Sequence, residues 1–158
     1  MKMLGTTIAL VLALIPHHVL AFDVEGFRNG MSKAVVIERP SLSRKVSEHD
    51  QDTLVARDSL GNYLSFNFCK DRLVSVQQGF QPHLRQFAVI VREFNSKHGQ
   101  PFSVATTSRA HPNGQIDEFG IWWKSEMEFV SVYYMGSPHG DSLSTSHQSP
   151  NDCFKVPR

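Results

Sequence analysis

The chain has 158 residues, with sixteen basic and fifteen acidic side chains, which is about one domain by length. That balance excludes the basic excess with which nucleic-acid binders displace counterions. After the first apolar run, no segment is long and apolar enough to cross a bilayer, which takes roughly 20 residues.

Residues 1–21 read as an export signal. Lys2 gives a positive start, Leu4 to Ile15 form an uncharged apolar run, and Pro16 breaks the helix. Val19-Leu20-Ala21 then offers the residues a signal peptidase accepts. A membrane anchor is the alternative, but the run is too short. Phe22, not cysteine, follows, so the site is not a lipoprotein site. Cleavage there removes Lys2 and leaves fifteen basic against fifteen acidic residues. The expected address is periplasmic or secreted. Cys69 and Cys153 are the two cysteines. In an oxidising compartment they are most simply a disulfide, with a pair of free or redox-active thiols as the rival.

A short helix is expected after Gly30-Met31. Ser32 suits its N-cap, Ala34 to Ile37 supply apolar surface, and Pro40 ends it. Residues 41–52 are polar without a clear period. Three strands follow, over 54–58, 63–68 and 73–77. The middle one is clearest, because Leu64, Phe66 and Phe68 alternate with Tyr63, Ser65 and Asn67. A second helix starts near Pro82, with Leu84, Phe87, Ala88, Val91 and Phe94 as one apolar stripe. Gly99 and Pro101 end it. Strands over 102–108, 119–123 and 129–134 come next, with Pro112-Asn113-Gly114 as a turn. From Gly136 the chain is polar and reads as a tail that Cys153 ties back.

The expected fold is α+β: antiparallel sheet packed against two helices, in a single domain over 22–135 with a tail over 136–158. Leu73-Val74-Ser75-Val76 and Phe129-Val130-Ser131-Val132 occupy equivalent places. They suggest a tandem repeat of helix plus three strands.

Gly26-Phe27-Arg28-Asn29-Gly30-Met31-Ser32 and the stretch Phe66 to Val74 resemble uncharacterised exported bacterial proteins. The Gly-Met-Ser opening is similar to that of the small lipoproteins of outer-membrane assembly. The doubled helix-plus-sheet order is similar to the secreted β-lactamase inhibitor proteins. The resemblance implies binding to other proteins instead of catalysis, and it carries over no functional residue.

Motifs for chemistry are sparse. There is no His-Glu-x-x-His zinc pattern and no nucleophile elbow. His139, Asp141 and His147, with Ser142, hold residue types of a metal site or a triad, so a secreted hydrolase or metal-binding protein is the alternative function. Asp117-Glu118, Glu126 and Glu128 read as solvated surface. Nothing names a cofactor or a metal. The main reading is a non-enzymatic binding protein whose partner is another protein. Trp122 and Trp123 are consecutive on a strand and must face opposite sides. Trp123 shares the more apolar side with Phe119 and Ile121. Trp122, with Tyr134 and Tyr63, is then the candidate binding face, unless the other sheet half or the tail covers it.

Overall fold

A computed structural model describes residues 21–39 and 45–154; the expected export signal, apart from Ala21, therefore lies outside the described residues. Two short strands, β1 (Asp23–Val24) and β2 (Phe27–Arg28), form a ribbon, and α1 (Lys33–Ile37) follows. Four strands come next: β3 (Lys45–Asp50), β4 (Thr53–Arg57), β5 (Tyr63–Cys69) and β6 (Arg72–Phe80). Then α2 (Leu84–His98) precedes β7 (Ser103–His111), β8 (Gly114–Lys124), β9 (Phe129–Gly136) and β10 (Ser142–Gln148). The last eight strands form one antiparallel sheet in the order β3-β4-β5-β6-β10-β9-β8-β7. This is an α+β fold, and its centre is the pairing of β6 with β10.

Local chemistry accounts for the element ends. The Ser32 hydroxyl accepts from Val35 N at 3.4 Å and caps α1, as expected of a serine there. Asp71 Oδ1 accepts from Lys33 N as well. The β5–β6 hairpin closes through Lys70 and Asp71, both at positive φ (51° and 58°), the backbone that a two-residue hairpin turn demands. At Pro112-Asn113 the chain reverses between paired His111 and Gly114. Gly99, at φ 79°, ends α2.

Each helix is followed by four strands, not three. β3 escapes a hydrophobic reading because it is an edge strand with mostly exposed residues. β10 corrects the tail expected over 136–158: Ser142–Gln148 is a central strand. Its covered side carries Leu143, Thr145 and His147, so no apolar alternation is visible in the sequence.

One face of the sheet is covered by two separate lids. Phe22, Val24, Phe27 and Val36 pack over Leu54, Leu64, Phe66, Phe68 and Val76. Phe27 meets Phe66 edge-on, with ring centroids 4.7 Å apart. The segment is tied down by backbone bonds, Gly30 N to Leu73 O and Leu73 N to Met31 O, both 2.8 Å. The two stretches that carry the sequence resemblance thus touch each other. Over the second half, α2 lays Phe87, Ile90, Val91 and Phe94 on Ile121, Trp123, Val130, Val132 and Leu143. The stripe differs from the expected one, since Leu84 is 77% exposed and Ala88 is also exposed. The helix meets the sheet along β8 and β9, and its packed face begins at Phe87.

Candidate functional site

The opposite face of the sheet carries the candidate site, and register fixes its membership. Directly paired residues point to the same side of a sheet. One row therefore runs Arg57, Tyr63, Gly79, Ser144, Tyr133, Gly120 across six strands. The next runs Val55, Ser65, Gln77, Ser146, Ser131, Trp122. None of these lies under α2 or the N-terminal segment.

Two glycines make room for rings on this face. A Cβ on Gly79 would collide with the Tyr63 ring, and one on Gly120 with the Trp122 indole. Both rings therefore lie flat against glycine backbone. Ser65, Ser75 and Ser144 are only 9%, 4% and 7% exposed although they point away from both lids. Short side chains between taller neighbours are shielded by those neighbours, so the face is a trough with a hydroxyl-lined floor. Ser75 and Ser146 hydroxyls meet at 3.5 Å, and Gln77 Nε2 donates to Ser144 Oγ at 3.2 Å. From β5 to β9 is three strand spacings, roughly 14 Å.

Charge sits at the margins. The Arg57 guanidinium lies 5.2 Å from the centroid of Tyr63. The Lys124 ammonium lies 5.3 Å from that of Phe129. Tyr133 donates to Glu118 and is pushed up to about 12, by burial first and then by that bond. Glu118 is held below the usual carboxylate range by Tyr133 first, then by Thr107 and Arg109, and Arg109 works against the rise of Tyr133. Arg109 Nη2 donates to Glu118 Oε1 at 3.1 Å.

The structure divides the expected aromatic set. Trp122 and Tyr63 are on the open face, half-buried. Tyr134 is not: it pairs with Phe119, and Phe87 of α2 packs against both rings. The hairpin loop is Ser125–Glu128, which pairs Lys124 with Phe129 and puts Tyr133 beside Trp122 instead. A four-residue loop assigned at that turn would have given the right parity. Trp123 is 1% exposed under α2, and its indole N–H donates to Asn95 Oδ1 and Gly99 O, both at 3.1 Å.

Cys69 and Cys153 are disulfide-bonded, with Cα atoms 5.7 Å apart. The bond pins residues 149–154 across one end of the trough, where Gln148 Nε2 donates to Phe154 O and Ser149 Oγ to Val74 O.

His139, Asp141 and His147 are not brought together. His139 stacks edge-on with His111, and Asp141 accepts from the Tyr134 hydroxyl at 2.6 Å. His147 lies beneath α2, its Nδ1 2.6 Å from Glu128 Oε1. Glu128 is thus not solvated surface; it is 5% exposed, a burial tolerated because the imidazole satisfies it. Among the described residues, no group of three His, Cys, Asp or Glu side chains could hold a metal ion, and no helix is long and apolar enough to cross a membrane. No known protein family matches the chain, and no curated protein or solved structure is significantly similar to it.

Proposed function

We propose that the chain is exported and acts as a non-enzymatic binding protein in the bacterial envelope or outside the cell, engaging another protein through the open sheet face. One observation carries this reading: a wide sheet face with Tyr63, Tyr133 and Trp122 around a small-residue floor, with neither α2 nor the N-terminal segment lying over it among the described residues. Aromatic side chains held rigidly on such a surface are the usual anchors of protein interfaces. The Cys69–Cys153 disulfide supports an oxidising compartment, and the apolar run before Ala21 supports export. The order of one helix and four strands, met twice, supports a duplicated unit whose last strands pair at the centre. The resemblance to secreted inhibitor proteins points the same way.

The test is a pull-down from envelope extract with wild-type and Trp122→Ala/Tyr63→Ala baits of equal stability. A protein retained by the first and lost by the second is the expected result. Equal retention by both baits would refute the open face as the binding surface.

A further inference from the structure

The open face has an uneven distribution of charge that bears on what it takes. From β5 to β9, the side chains pointing into the trough are neutral: hydroxyls and amides along the floor, with Tyr63, Tyr133 and Phe129 at its walls. The flanking cations lean inward from the next strand out. Arg57 of β4 lies over Tyr63 of β5, its direct cross-strand partner. Lys124 of β8 lies over Phe129 of β9, also its direct partner. Both cations are exposed, and among the described residues neither has a carboxylate partner. A cation resting on a ring keeps its charge available above the ring plane. The other charges on this side are accounted for, Lys70 and Asp152 at the disulfide end being 4.0 Å from each other. Glu118 is engaged by Arg109, Thr107 and Tyr133. Lys45 and Asp50 lie on the edge strand β3, at opposite ends of it, two strands away from the floor.

Resting on the reading of this face as a binding surface, we propose that its partner is an acidic protein segment, a single protruding loop whose carboxylates meet Arg57 and Lys124. The width suits one slender segment: the β5 and β9 backbones are roughly 14 Å apart, and the Tyr63 ring leaning onto Gly79 narrows the open floor below that. The floor fits too, since hydroxyls and amides can bond a polar segment without setting a like charge against it. A basic segment would meet both cations at the rim with no free carboxylate between them.

A display library of random linear peptides, selected on the disulfide-bonded protein, tests this. The Trp122→Ala/Tyr63→Ala variant serves as counter-target. Enriched peptides are expected to be rich in Asp and Glu and poor in Lys and Arg. Their affinity should fall by about tenfold or more on Arg57→Glu/Lys124→Glu, with a steep loss as salt is raised. Both positions are exposed, and circular dichroism of each variant confirms that the fold is kept. Peptides that need Trp122 and Tyr63 but carry no acidic excess would overturn the acidic partner and leave the binding face standing. Peptides that bind the counter-target equally well would overturn both.

Discussion

Truncating Trp123 would empty a space that Phe94 fills edge-on, with centroids 5.5 Å apart, and would strand Asn95 without its indole donor. Trp123→Ala should therefore cost about 3 to 5 kcal/mol of stability, as large core truncations do. Trp122→Ala removes a half-buried ring resting on Gly120, so unfolding by urea should change far less. Partner binding should weaken by about 2 kcal/mol or more if the ring is an anchor. Paired denaturation curves decide the first point: if Trp122→Ala is the less stable of the two, the open face is core. Gly120→Ala offers an independent check. A methyl there must push the indole off the backbone, so the variant should stay folded and show altered Trp122 fluorescence; an unchanged spectrum would mean that the ring does not rest on Gly120. That Trp122 and Trp123 face opposite ways was legible in the sequence, because strand alternation is a local property. Whether Tyr133 or Tyr134 joins Trp122 was not. That depends on the length of a turn, and a one-residue error there exchanges the two faces.

The elements read most easily are those with one wet and one dry side. β5 alternates Tyr63, Ser65 and Asn67 with Leu64, Phe66 and Phe68, and α2 carries its apolar residues at helical spacing. β10 hid because its dry side includes Thr145 and a histidine bonded to a buried glutamate, a partnership 19 residues apart that no local pattern shows. The same corner makes α2 sensitive to pH. His98, near the end of the helix, packs edge-on against Phe94, and its Nε2 is buried without a hydrogen-bond partner among the described residues. Burial holds its imidazole below the usual histidine range, against the pull of Glu128, with Lys97 and His147 adding to the depression. The unfolded chain therefore binds the proton more readily than the folded one. Stability is fully present above the ordinary histidine value of about 6.5 and declines as pH falls through it toward the lower folded value. Urea midpoints measured from pH 8 to pH 5 should fall, and the fall should shrink in His98→Gln. A variant with the wild-type slope would show that other groups set the acid response. The disulfide acts just beyond the same end of β10, on residues 149–154. Closing a loop with a sequence separation of 84 is worth about 4 to 5 kcal/mol in the chain-entropy model. Cys153→Ser should lose a large part of that, and an unchanged melting curve would show that residues 149–154 stay in place without it.

At the scale of the whole molecule, one eight-stranded sheet keeps a single face dry with two lids of different origin. α2 covers the second half, while the first depends on the extended segment that starts the described chain, because α1 buries only Val36. Ala21 and Phe22 are already part of that core, at 8% and 3% exposure. The proposed cleavage after Ala21 would therefore be a cut at the margin of the fold. It would spare Phe22, Val24 and Phe27, and with them the cover over Leu64 and Phe66. A cut a few residues further in would not. A chain beginning at Gly26 lacks Phe22 and Val24, and the loss of two buried apolar side chains should cost about 3 to 6 kcal/mol. Against a chain beginning at Phe22, its urea midpoint should be markedly lower; equal midpoints would show that the N-terminal lid contributes little. Terminal sequencing of the exported protein should read Phe22-Asp23-Val24. A start at Met1 would contradict the export signal, and a start beyond Val24 would require a first-half core closed without its lid.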